Sequence, residues 1–223
     1  MKLSIIIPVL NEASNLKKLL PGLTQESNEI IIVDGGCTDK SKQISEAFGA
    51  KVITAPKSRA KQMNAGAKIA KGDVLFFVHA DSIPPNDFYS AIQKNISEET
   101  PFGCFRSLFD TKSRFLLINS YFSRFKGMMF RGGGQTLWIT KTLFEKLNGY
   151  DESLKLMEEY DFIKRATKVA DYKVIQKDVL VSPRTYDDNG NFKTQLVYGL
   201  IMFGFFRGIH QDKLIKFGKR WLK

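Results

Sequence analysis

Four short apolar runs alternate with helix-period segments over the first eighty residues, and this alternation restricts the fold more than any other feature of the chain. Residues 3–9, LSIIIPV, are rich in β-branched side chains, and residues 14–20 carry Leu16, Leu19 and Leu20 at helical spacing. Residues 29–33 read as a second strand, 39–48 as a second helix, 51–54 as a short strand and 58–70 as an alanine-rich helix. Residues 73–78 read as a fourth strand, buried on both faces. Strands and helices joined by connections this short imply right-handed crossovers and a mostly parallel sheet flanked by helices. About the first hundred residues therefore read as a Rossmann-like half-domain.

The turn after the first strand is PVLNE, so the dinucleotide fingerprint Gly-x-Gly-x-x-Gly is missing, as is any Walker-type loop. A nucleotide bound here must be held by side chains at several strand ends. From about residue 101 the pattern is less regular: strands are expected at 102–109, 137–140 and 174–181, an amphipathic helix from Glu158, and two aromatic-rich helices from Asn191. No linker separates the halves, so residues 1–223 read as one α/β domain with two functional lobes, about 1–100 and about 101–223.

A formal charge of +11 means that the chain attracts anions, which leaves nucleic acid, anionic lipid and phosphorylated substrates open. Cys37 and Cys104 stand far apart without metal-like spacing and read as small apolar residues in a reducing compartment. The sequence has no signal-peptide pattern, and the apolar segment 196–206 is interrupted by glycines and shorter than the roughly 20 residues a span requires. A cytoplasmic soluble protein is the expectation. In the tail, Leu214, Phe217, Trp221 and Leu222 share a helical face ringed by lysines and Arg220. Such a helix fits either an anionic membrane surface or packing on the core with a solvated lysine face.

Three strands end in acid-bearing turns: Asn11-Glu12, Asp34-Gly35-Gly36 and His79-Ala80-Asp81. In a parallel sheet these turns share one edge, so Glu12, Asp34 and Asp81 are expected in one crevice. Converging acids are costly unless a cation or hydroxyls compensate, and Mg²⁺ carried on a diphosphate is the economical answer. Each residue also has a plainer role: Asn11, Glu12 and Asp39 as helix starts, His79 as a hydrogen-bonded structural histidine, Asp81 as the cap of the following turn.

SIIIPVLNE, IIVDGGCTD, RAKQMNAGAKIAKGD, FFVHADSIPP and LMEEYDF, in that order, resemble the inverting glycosyltransferases of family 2, which have the GT-A fold. The likeness is closest to the branch described as radical-SAM/selenodomain-associated transferases, and it covers nearly the whole chain. It implies that Pro8, Asn11, Glu12 and Asp34 hold the nucleoside of a nucleotide-diphospho sugar, a UDP-sugar by default, and that Arg59 helps. It implies that Asp81, the last acid of an Asp-x-Asp motif, coordinates Mn²⁺ or Mg²⁺, with His79 in the place of the first acid. The sequence departs from the family's pattern there, at Asp34-Gly35 where two acids are common, and at Gly133-Gly134-Gln135 where the branch has Gly-Asp-Gln.

The helix from Glu158 has an inward stripe of Phe162, Ile163, Ala166, Val169 and Ala170, which Glu158 and Glu159 continue toward the crevice. The resemblance aligns the family's Glu-Asp motif with Glu158-Glu159 and makes Glu159 the general base, one methylene longer than the usual aspartate, with Glu158 its neighbour. First-turn acids favoured by the helix dipole are the plainer reading. Asp161 and Arg165 are spaced as a surface pair. The run 131–134 is either a loop closing over the acceptor, with Gln135 bonding to it, or a tight turn; Arg184, before an expected turn at 187–190, is a candidate phosphate contact on the acceptor side. The acceptor itself is left open, with a lipid-linked one fitting the basic tail. A nucleotidyltransferase would show a Gly-rich basic loop after the first strand, and a nucleic-acid binder would interleave basic and aromatic residues on a reading element. This chain has neither, and no nucleic-acid partner is expected.

Overall fold

A computed structural model of the chain describes residues 1–24, 29–130 and 135–222. The first half follows the alternation in the sequence: β1 (Leu3–Val9), α1 (Ala13–Leu23), β2 (Glu29–Asp34), α2 (Ser41–Ala47), β3 (Lys51–Thr54), α3 (Arg59–Ile69) and β4 (Val74–Phe77). Next come β5 (Ser82–Ile83), α4 (Phe88–Asn95), β6 (Phe102–Phe109), α5 (Arg114–Phe122), β7 (Leu137–Thr140) and α6 (Lys141–Lys146). The chain ends with α7 (Glu158–Ala166), β8 (Tyr172–Val181), α8 (Arg184–Asn189), α9 (Asn191–Phe206) and α10 (Gln211–Trp221). One sheet in the order β3-β2-β1-β4-β7-β6-β8-β5 joins both halves, so they share a single architecture.

β1 to β4 are mutually parallel, which puts the turns after β1, β2 and β4 on one edge. β7 runs antiparallel to β4 and to β6, whereas β6 and β8 are parallel. Alternation along β1 divides the core. Leu3, Ile5, Ile7 and Val9 pack on Leu16, Leu19, Leu20 and Leu23 of α1, while Ile6 faces Ala60, Met63 and Ala67 of α3 on the other side. α3 lies so close to the sheet that a Cβ at Gly66 would come within 2.5 Å of Ile6. Gly103 does the same for β6: a Cβ there would lie 2.2 Å from the Lys173 carbonyl and 2.3 Å from the Trp138 ring.

The expected turn at residues 187–190 is instead the end of a short helix. α8 runs through the Asp-Asp-Asn triplet and stops at Gly190, whose φ of 85° only glycine adopts freely. The tail helix α10 buries Leu214 against α9, where Gly204 leaves room for it, and sets Gly218 beside Ile201. Part of its apolar side is thus spent on the protein, while Trp221 at its end is 47% exposed. No helix among the described residues is long and apolar enough to cross a membrane.

Candidate active site

The turns after β1 and β2 are tied to each other by Asn11. Its φ of 57° places it in the left-handed region that Asn tolerates, and its side-chain Oδ1 accepts from the Thr38 amide at 2.8 Å. Its own amide donates to the Cys37 sulfur. Asp34 turns one oxygen onto the amides of Gly36 and Cys37, at 2.8 and 2.7 Å. Burial raises the Asp34 carboxyl, but these bonds and one with the Cys37 side chain outweigh it and hold the acid below its usual range. The Cys37 thiol is correspondingly pushed up, by burial first and then by the neighbouring Asp34.

A cavity of about 310 Å³ opens at this edge, lined by Pro8, Glu12, Lys57, Arg59, His79, Asp81 and Arg184 among others. Glu12 accepts from Asn15 at 2.6 Å and pairs with Arg184 at 3.3 Å, so the residue expected on the acceptor side lies in the same cavity as the strand-end acids. Asp81 is fixed from the second half of the chain: its carbonyl accepts from the Ser182 amide, and β5 behind it pairs with the end of β8. The three strand-end acids do not meet at one point. Glu12 is engaged with Arg184 and Asp34 with its own turn, and no group of three or more acids, histidines or cysteines among the described residues could hold a metal ion.

Lys57 and Gln62 belong to the site as well, though sequence reasoning did not select them. Gln62 is buried on α3, and its amide donates to carbonyls near the ends of β1 and β2, Val9 at 3.0 Å and Val33 at 2.7 Å. Gly35 is what lets it in, since a Cβ there would lie 2.9 Å from the Gln62 nitrogen. Gln62 falls three residues after Arg59 and one before buried Met63, so the inward face of α3 was the available signal.

His79 and Glu159 form the centre of the site. His79 Nε2 and a Glu159 carboxylate oxygen lie 2.7 Å apart, with 10% and 13% of their side chains exposed. Burial works to lower the His79 pKa, but the adjacent Glu159 carboxylate more than reverses this and raises it. Glu158 beside it is buried, and burial together with the charge of Glu159 raises its pKa. α7 begins at these acids because Met157 turns the chain through φ 65°, and the helix N-terminus then favours negative charge. Asp161 bonds to Arg165 at 2.8 Å, one turn along. Gln135 is buried, with its amide nitrogen 3.5 Å from the Phe130 carbonyl; residues 131–134, read from sequence as a loop or a turn, lie outside the described residues.

The donor set suits a metal that arrives with most of its own ligands. Asp81 offers a half-buried carboxylate with a 3.4 Å contact from Ser82, whereas His79 Nε2, two residues back in the chain, is engaged by Glu159. One carboxylate plus phosphate oxygens is the ordinary way to hold Mg²⁺.

Residues 4–153 match the model of glycosyl transferase family 2. An uncharacterized glycosyltransferase of Rickettsia typhi is 26% identical over 238 residues, covering 95% of this chain and 74% of that protein. Among solved structures, Staphylococcus aureus TarS residues 1–349 with UDP aligns over 82% of this chain and 60% of its own, at a TM-score of 0.66 and 19% identity. The mannosyltransferase PcManGT of Pyrobaculum calidifontis with GDP-Man and Mn²⁺ aligns over 88% of this chain and 60% of its own, at a TM-score of 0.63 and 14% identity. This chain thus spans about 60% of each of the two solved structures. At these identities the structural likeness shows the fold, an α/β GT-A architecture.

Proposed function

Because the chain belongs to glycosyl transferase family 2, we propose that it moves a sugar from a nucleotide-diphospho sugar to an acceptor hydroxyl with inversion. The observation that carries this reading is the 2.7 Å pair of Glu159 with His79, which lines a cavity together with Asp81 and three basic side chains. Inverting attack needs one group to take the proton of the acceptor hydroxyl and another to neutralise the leaving diphosphate. Glu159 takes the proton. His79 holds its carboxylate in place, and Glu158 lies buried beside it at the same helix end, its pKa raised by burial and by the charge of Glu159.

Lys57, Arg59 and Arg184 present positive charge to the diphosphate, and Pro8, Asn11, Glu12 and Asp34 hold the nucleoside at the ends of β1 and β2. Asp81 would hold Mn²⁺ or Mg²⁺, which when bound supplies Lewis acidity to the departing phosphate oxygens. TarS was solved with UDP and PcManGT with GDP-Man and Mn²⁺, so a uracil and a guanine base are the two to compare. Gln135 faces the acceptor side. A lipid-linked acceptor and a peripheral position at the inner face of the membrane fit the net charge of +11. The finer likeness to the radical-SAM/selenodomain-associated branch rests on the order of the five sequence motifs.

Calorimetric titration of UDP and GDP, with and without Mn²⁺, on the wild type and on Asp81→Ala tests the donor site. The expected result is metal-dependent binding of one nucleotide, lost in Asp81→Ala. If neither nucleotide binds in the presence of metal, the donor assignment is wrong.

A further inference from the structure

We propose that the surface formed by α5, the turn after it and α9 is where this protein rests on an anionic lipid bilayer. α9 turns apolar from Leu196 onward: Thr194, Val197, Ile201 and Gly204 face the protein, and Phe192, Leu196 and Phe203 on the opposite side are 77%, 64% and 57% exposed. α5 repeats the arrangement, burying Leu116 and Ser120 while Ile118, Tyr121 and Phe122 stand out, with Phe125 exposed in the turn after it. The helices are joined side by side, through the Phe115 and Phe192 rings at 4.5 Å and the Asn119 amide donating to Gln195 at 2.7 Å. Phe130 adds to the surface from the turn, its ring 5.7 Å from that of Phe125. Single exposed apolar residues are normal on a protein, whereas a connected surface of this kind marks a binding face.

The charges at this face select the occupant. Arg124 lies over the Tyr121 ring at 3.8 Å and Arg207 over the Phe203 ring at 4.7 Å, and Arg114 and Lys193 are exposed nearby in the chain. Aromatic rings under guanidinium groups match the interfacial zone, where rings reach the acyl boundary and cations stay among anionic headgroups. A second copy of a chain with charge +11 would bring like charges together across a twofold axis. A spanning role is excluded by length, since α9 has 16 residues against the roughly 20 needed. The inference moves the membrane contact from α10, whose Leu214 is buried against α9, to α5 and α9, whose exposed apolar side chains are more numerous, and it rests on the reading above only for the lipid-linked acceptor.

Co-sedimentation of the full chain with phosphatidylcholine vesicles, with and without about 30 mol % phosphatidylglycerol, tests it. The wild type is expected to pellet with the anionic vesicles, and Phe192→Ser/Phe203→Ser to lose about tenfold or more in partitioning. Both side chains are exposed, so the variant should keep its thermal midpoint and its nucleotide titration, which separates this outcome from failure of the donor site. Lys219→Gln/Arg220→Gln on α10 should cost less than the apolar pair. Equal binding of the apolar variant and the wild type would overturn the proposal, as would absence of binding. So would a dimer in sedimentation equilibrium that the apolar variant dissociates.

Discussion

Glu159 and His79 stand 80 positions apart in the chain, and their contact defines what each can do. A carboxylate held by a neutral or charged imidazole has its rotamer fixed before the acceptor arrives, and that preorganisation is where a base gains efficiency. Glu159→Gln is expected to lower kcat by about 10²- to 10⁴-fold in a transfer assay while leaving the nucleotide titration unchanged. His79→Gln should lower kcat by less, because glutamine can still donate to the carboxylate. A loss of nucleotide binding in Glu159→Gln would move this residue from chemistry to donor recognition. His79 stood out in the sequence as a polar break at the end of an apolar strand. Its partner was not legible there, since no local pattern says which of the acids at the start of α7 turns toward β4. Gln62 was missed for a related reason: an amide on an alanine-rich helix looks like solvent-facing surface until its two carbonyl acceptors are seen.

Among the elements, β1 to β4 and the helices between them follow from periodicity alone, because each β-strand is a continuous apolar run and each connection is short. The second half is harder. α5 carries both buried and exposed apolar residues, so its apolar pattern has no clean period, and α8 reads as a turn because Asp-Asp-Asn-Gly is turn chemistry as well as a helix end. The parallel pairing of β6 with β8, bent at Phe105/Arg106 and closed by the two-pronged Arg106–Asp178 bridge at 2.6 and 2.7 Å, has no local signature. Packing at β6 leads to a prediction in two parts. Gly103→Ala puts a methyl group into backbone and indole together, and loss of soluble folded protein is expected. Gly199→Ala on α9 meets nothing within 4 Å and should raise stability by up to about 1 kcal/mol, read as the urea midpoint.

For the whole molecule, pH acts through buried groups with opposite signs. His79 has a raised pKa, so its contribution is complete below its unfolded value of about 6.5 and is lost as pH rises through the folded value. Glu158, also raised, weakens stability in the same direction above about 4.5, because the folded state keeps a proton that the unfolded chain has released. Asp34, lowered, contributes fully above about 3.8 and loses that contribution only as acid is added. The thermal midpoint is therefore expected to fall as pH rises above about 6.5, and His79→Gln to flatten the slope; an unchanged slope would mean that His79 does not carry it. The joining of the two halves into one sheet also gives the contact between Glu12 and Arg184, 172 positions apart, a consequence for synthesis. On the ribosome the strands β1 to β4 emerge first and can pair with one another, yet Asp81 lacks its support from Ser182, and Glu12 its cation, until the final fifth of the chain is made. A nascent chain stalled before β8 would hold most of the parallel sheet but an unfinished site, so the nucleotide proposed above would act as a ligand that favours folding only after translation has nearly ended.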